Sequence, residues 1–294
     1  MQLTRIRSVR YFFTIAALLL LAACSSLRLA YNTGDTLLYW WLDAYVDLDS
    51  DQKPEVKSDI NDLFHWHRKT QLHDYVQVMR TAQKQLQGPV TTADLQADYK
   101  DIRTRTEALL YKAAPDLAEL ALSLKPEQIA QMEKKFNKNS RDFRNKNMKG
   151  DREEQQKFRY KKSMEQFTLW FGNFSSVQEE QIRKASDARP LDNELWLDER
   201  TRRQRNIIAL AKKIQQERPS KEAAQAMISA LIKETFERME KPSERKAFFD
   251  TYTNSTIELV LTVIRIATPE QKAHAQKRMQ GWIDDFNALA AQAG

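Results

Sequence analysis

Cysteine is almost missing from this chain: Cys24 is the only one in 294 residues. An internal disulfide is therefore excluded, and so is any zinc site built from several thiolates. Glycine is nearly as scarce, at 6 residues, and proline contributes 8. With so little glycine there is no phosphate-cradling loop of the GxGxxG or GxxxxGK[ST] type. Sequence patterns for HExxH zinc hydrolysis and for the GxSxG nucleophile elbow are absent as well. Paired carboxylates occur by chance among 40 acids, so a cell-wall hydrolase is the remote alternative to a non-enzymatic protein with no cofactor. Long apolar runs are missing too. The longest, Tyr11 to Ala23 broken only by Thr14, spans about 20 Å as a helix, short of the roughly 30 Å hydrocarbon core.

That run is preceded by Arg5, Arg7 and Arg10 and followed by small residues and Cys24, the charged, apolar and small order of a secretory signal over residues 1–23. Leu21-Ala22-Ala23-Cys24 resembles the lipobox of bacterial lipoproteins. The resemblance implies a diacylglyceryl thioether on Cys24, cleavage before it and acylation of the new amine. Several acyl chains, each worth about 0.8 kcal/mol per buried methylene, make such an anchor durable. Ser25 resembles the sorting signal for the outer membrane, with the protein on its periplasmic face. Removing 23 residues and three arginines leaves 271 residues with 44 Lys and Arg against 40 Asp and Glu. A balance so near neutrality gives no signal for nucleic acid.

Most of the glycines and prolines punctuate the chain: Gly34, Gly88-Pro89, Gly150, Gly172, Pro190, Pro219, Pro242 and Pro269 mark breaks. Between them apolar residues recur at helical spacing, as in Val56, Ile60 and Leu63, or Met164, Phe167, Phe171 and Phe174. No sustained period-two alternation appears, so the sequence predicts an all-α multi-helix bundle. The expected organisation is a lipidated tether over 24–33, a helical region over 34–147, a connecting helix over 148–174 and a second helical region over 175–291.

Four helix starts share an apolar residue, two variable positions, an acid and a glutamine: Leu48 to Gln52, Leu124 to Gln128, Val177 to Gln181 and Ala267 to Gln271. The acid suits the positive helix end, and a glutamine three residues after a cap such as Asp49 or Thr268 can return a bond to the cap backbone. The alignment extends outward: Trp66 follows Gln52 by 14 residues and Trp196 follows Gln181 by 15, each ahead of a basic-threonine pair. Tandem duplication is thus one expectation, and chance similarity among helical sequences is the other.

Leu37-Leu38-Tyr39-Trp40-Trp41-Leu42 is apolar on every helical face, which fits a central core position or contact with a membrane or partner. Three of the four histidines cluster at 65, 67 and 73, yet His65 and His67 point nearly opposite ways, so no metal site is expected. His67 continues the Val56, Ile60 and Leu63 stripe into the core. Asp62, Trp66, Lys69 and His73, together with Asp59, share the other face of an uninterrupted helix and form the candidate binding surface. Asp47, Asp49 and Asp51 begin like a calcium loop, but Gln52 and Ser58 stand where glycine and glutamate are needed. Charge is uneven: Tyr31 to Asp62 holds eight acids against two lysines, and Lys134 to Lys162 holds twelve basic residues and four acids. The basic stretch fits an anionic envelope component or a solvated face.

Tyr39 to Leu48, followed by Gln52-Lys53-Pro54 and His65-Trp66-His67-Arg68, resembles an uncharacterised family of proteobacterial lipoproteins. The resemblance implies a lipobox and a helical domain and brings no activity with it. The four glutamine-bearing starts are also similar to the Leu-Thr-x-x-Gln repeats of periplasmic stress chaperones, although only Thr268 keeps the threonine. Taken together, the sequence reads as an envelope lipoprotein that binds an envelope protein or an anionic envelope component. A periplasmic chaperone or stress sensor is the alternative.

Overall fold

A computed structural model describes residues 26–238 and 241–292. The signal segment and Cys24 lie outside the described residues. Helices account for nearly all of the rest, and there is no strand among the described residues. In chain order they are α1 (Ser26–Asn32), α2 (Gly34–Val46), α3 (Gln52–Trp66), a π turn (His67–Gln71), α4 (Leu72–Leu86), α5 (Thr92–Ser123) and α6 (Pro126–Asn147). After these come α7 (Arg152–Phe171), α8 (Ser176–Asp187), α9 (Asn193–Glu217), α10 (Lys221–Glu237), α11 (Glu244–Ile266) and α12 (Pro269–Ala291). The fold is an all-α bundle, as the apolar periodicity predicts.

Local chemistry sets the helix ends. Thr91, Asp151, Ser175, Asp192, Ser220, Ser243 and Thr268 each accept the third backbone N–H of the helix they start. Pro126 and Pro269 stand at first-turn positions, where their missing N–H has no helical partner to lose. Gly172 closes α7 at φ +79°, a left-handed conformation that strains residues with a Cβ.

The chain is arranged as two bundles with matching neighbours. In the first, α2 packs on α3 and α6, and α3 on α5; in the second, α7 packs on α8 and α12, and α8 on α11. Each bundle is completed by a helix from the other stretch of chain, because α9 lies along α6 and α4 lies along α12. The cores reflect this exchange. Tyr39, Val46, Leu48, Val56, Leu124 and Ile129 are buried with Ile208 and Ala211 of α9, whereas Phe171, Ile182, Leu259, Val263 and Ala275 are buried with Leu86 of α4. Among the described residues helix α10 has no counterpart in the first half, and it closes on the small residues Ala114, Ala118 and Ala121 of α5.

Helix α1, which starts two residues beyond Cys24, is built into the core. Leu27 and Tyr31 pack on the cluster of Leu72, Val76, Ile283 and Phe286, and Arg28 Nε donates to the buried Asp285 carboxylate at 2.7 Å. The segment expected to be a tether is therefore a docked helix for most of its length. No helix among the described residues is long and apolar enough to cross a membrane.

Candidate functional site

The glutamines meet in pairs. Gln52 and Gln128 lie at the two turns of the first bundle and bond to each other, Nε2 to Oε1, at 3.2 and 2.7 Å. Gln178 and Gln271 do the same in the second bundle at 2.8 and 3.2 Å. Each Oε1 accepts the backbone N–H of its own cap residue, Asp49, Lys125, Ser175 or Thr268, at 2.9–3.1 Å. Each Nε2 donates to the carbonyl two residues before the opposite cap: Ser123, Asp47, Ile266 and Asn173. One motif thus recurs four times as an apolar residue, a cap, two variable positions and glutamine.

The third copy runs from Phe174 through Ser175 to Gln178 and not from Val177 to Gln181, which is exposed. The corrected register also separates the tryptophans. Trp66 ends α3, whereas Trp196 lies in the first turn of α9, one helix beyond the motif.

The surface expected around Trp66 is interrupted by the π turn. A straight α-helix would place Asp62, Trp66, Lys69 and His73 on one face, but the wider turn over His67–Gln71 adds about one residue to the register and rotates the helix beyond it. Trp66 is half-buried, with the Lys112 ammonium of α5 over its ring at 5.9 Å, and Asp62 lies near Asp116 of the same helix. Beyond the turn Asp74, in place of His73, reaches α5 by pairing with Arg105 at 3.0 Å. Lys69 and His73 are exposed. Asp59 sits among Asp116, Glu55 and Asp62, and partial burial together with these acids pushes its carboxyl up to about 6. No group of three or more His, Cys, Asp or Glu side chains suited to a metal occurs among the described residues.

His67 is held inside the bundle at the start of the π turn. Its Nδ1 lies 2.6 Å from the Tyr31 hydroxyl and its Nε2 3.3 Å from that of Tyr75. Burial lowers the imidazole below its ordinary value, which favours its neutral form, and raises Tyr31 to about 12. The rings continue from His67 to Tyr75, Phe286, Trp282 and Trp170. The expected role of His67 as a core-lining residue describes this arrangement.

A cleft of about 250 Å³ opens where the end of α6, the start of α7 and the loop before α9 meet, and its lining combines aromatic rings, amides and charges of both signs. Phe143, Phe158, Trp196 and Tyr252 supply apolar surface, Asn147 and Asn193 supply amides, and Arg159 and Lys162 supply positive charge beside the single carboxylate of Asp192. Arg159 donates to the carbonyls of Pro190, Ser186 and Arg189 at 2.8–3.1 Å, and no carboxylate of the described residues lies within ion-pairing distance of it. Arg189 is buried beside it, bonded to Ser163 and to Ser186. Burial lowers both guanidinium groups, as does Arg189 for its neighbour Arg159. Asp187 favours both charges from beyond ion-pairing distance and Asp192 lines the cleft, so Arg159 is a cation without a direct ion pair next to an aromatic cleft, within the basic stretch 134–162. Its residues come from three distant segments, and only that charge bias marks the place in the sequence.

A family model matches residues 44–224. The chain belongs to DUF6279, a family of unknown function. The DUF6279 match includes the first glutamine pair and Gln178 but stops before Gln271, so one member of the second pair lies beyond it. Neither the curated proteins nor the solved structures contain a match to this chain.

Proposed function

We propose that this protein is a non-enzymatic envelope lipoprotein, held by acyl chains on Cys24 at the periplasmic face of the outer membrane, that binds an anionic envelope component in the Trp196 cleft. The observation that carries the binding role is the Arg159 guanidinium, fixed by three carbonyls and making no direct ion pair with a carboxylate of the described residues, against four aromatic rings. Aromatic faces with flanking amides suit a sugar ring, and the cation suits an attached carboxylate. A 250 Å³ cleft lies below the roughly 300–1,000 Å³ of drug-sized sites, which favours one ring over a long oligomer. The tether rests on the signal and lipobox, and the docking of α1 gives it a rigid attachment. We also read the four equivalent glutamine turns and the exchanged helices as two tandem copies of one unit.

Calorimetric titration of the mature chain with N-acetylmuramic acid, and with neutral N-acetylglucosamine as the comparison, tests the binding role. Preferential binding of the acid that Trp196→Ala abolishes is the expected result. Equal or absent binding of the two sugars sinks it. Intact-protein mass before and after Cys24→Ser tests the tether, which requires loss of the acyl mass.

A second reading, a periplasmic chaperone, is favoured by one observation. Tyr99, Ile102, Leu110 and Leu117 form an exposed apolar line along α5. It predicts that the mature chain slows aggregation of a reduced client protein and that Ile102→Asp with Leu110→Asp removes the effect. Unchanged aggregation with the wild-type chain excludes it.

A further inference from the structure

Helix α2 divides its apolar residues between two faces. Tyr39 and Val46 are buried, with Leu38, Leu42 and Tyr45 packed around them in the first core. Leu37, Trp40 and Trp41 point the other way and are 52%, 61% and 57% exposed, and Ala44 continues the same line. Leu29 of α1, the outward residue between the docked Leu27 and Tyr31, is 66% exposed. Two exposed tryptophans in one helical turn are costly in water unless something covers them.

The exposed line of α2 carries no charged side chain. The acids of the helix are turned to backbone instead: Asp35 accepts the N–H of Thr36 at 2.7 Å and Asp43 that of Leu48 at 2.9 Å. Position matters as much as composition. The chain enters α1 two residues after Cys24, and α1 cannot swing free, because Arg28 holds the buried Asp285 and Tyr31 meets His67 at 2.6 Å. Helix α1 is about 10 Å long, so acyl chains on Cys24 would enter the membrane close to Leu29 and the start of α2.

We propose that Leu29, Leu37, Trp40 and Trp41 form a membrane seat, in which the exposed face of α2 lies in the headgroup layer beside the acyl chains and fixes the orientation of the bundle. The seat rests on the lipoprotein reading above. Tryptophan and leucine on an interfacial helix sink about 5–10 Å into the headgroup boundary, where the indole ring meets hydrocarbon and its N–H meets water. The lipid supplies the attachment and the seat supplies the angle.

The acylated chain, reconstituted in vesicles of phosphatidylethanolamine and phosphatidylglycerol with brominated acyl chains, provides the test. Part of the tryptophan emission should be quenched relative to unbrominated vesicles, and a Trp40→Ser, Trp41→Ser variant with an unchanged circular dichroism spectrum should lose that quenching. Trp196→Phe should keep it. The unacylated Cys24→Ser chain should bind the same vesicles weakly, and the double substitution should lower that binding by about tenfold or more. Equal emission in the two kinds of vesicle, with the acyl mass confirmed on Cys24, overturns the seat and leaves the tether standing. Absence of the acyl mass overturns the tether and the seat with it. A concentration-dependent dimer that the double substitution abolishes overturns the seat in favour of self-association.

Discussion

At the first turn pair Gln52 and Gln128 are each 6% exposed, and their caps are an aspartate and a lysine, which pair across the turn at 2.8 Å. At the second pair Gln178 is half-buried, and the caps are Ser175 and Thr268, whose hydroxyls each accept the N–H of their own glutamine at 3.3 Å. One amide geometry thus works in a charged setting and in a neutral one. The shared part of the arrangement is the satisfaction of backbone: in all four turns Oε1 takes a cap N–H and Nε2 takes a carbonyl from the opposite turn. A glutamine amide has a donor end and an acceptor end, and nothing smaller reaches both strands of the turn. What varies is the cap: the Ser175 and Thr268 hydroxyls and the Asp49 carboxylate accept the N–H of their own glutamines, whereas the Lys125 ammonium has no acceptor and leaves the Gln128 N–H to the Lys125 carbonyl at 3.1 Å.

The largest difference should come from breaking the buried pair. Gln128→Ala leaves the Lys125 N–H, the Asp47 carbonyl and one side of Gln52 without partners, at about 3 kcal/mol. Gln178→Ala removes the equivalent bonds where water can replace some of them, at about 2 kcal/mol. Urea unfolding of both variants measures the difference. Equal costs would mean that burial does not distinguish the two turns.

Seven residues after the glutamines the halves part: Asp59 stands where the second half has Ala185, which packs in its core. Asp59 is pushed up to about 6 in the folded chain, first by burial and then by Asp116, Glu55 and Asp62. A folded value above the unfolded one means that the ionised acid costs stability above pH 6 and nothing below about pH 4. Asp59→Asn should therefore stabilise the protein at pH 7 by about 1 kcal/mol, a figure reduced for its partial exposure, and the gain should vanish in acid. Thermal unfolding at pH 7 and pH 4 checks both halves of this expectation. An unchanged melting temperature at pH 7 would show that solvent screens the acids fully.

The all-α class and the breaks at Gly34, Gly88-Pro89, Gly150 and Gly172 were legible because they depend on local chemistry, which the chain carries residue by residue. The glutamine motif was legible in three of its four copies. Its third copy is ambiguous in sequence, since Val177 to Gln181 satisfies the same apolar, acid and glutamine spacing, and only the cap at Ser175 selects Gln178. The Trp66 surface illustrates the opposite case. No residue in His67–Gln71 announces a π turn, yet that turn decides whether Lys69 and His73 share a face with Trp66. The apolar run of α2 supported both a core and a surface reading, and the two apply to opposite faces of the same helix. Trp196 was visible only as the partner of Trp66, because its cleft is assembled by packing between residues far apart in the chain.

The smallest effect separates the two turns by charge. Lys125 holds the Asp49 carboxyl below its ordinary range through a direct hydrogen bond, helped by the backbone N–H groups of Gln52 and Asp51. A folded value below the unfolded one gives a contribution that is present above the unfolded value of about 4 and fades as the pH falls through the folded one. Both groups meet solvent, so salt should screen the pair. The second turn has hydroxyl caps and should not respond. Hydrogen exchange of the Lys125 and Asp49 amides should therefore quicken slightly between low and high salt, while the Ser175 and Thr268 amides keep their rates. Lys125→Thr should abolish the salt response, because a threonine at that cap accepts the Gln128 N–H as Thr268 accepts that of Gln271. If the response persists in that variant, it arises from the wider acid surplus of residues 31–62, and the two turns differ in surroundings more than in caps.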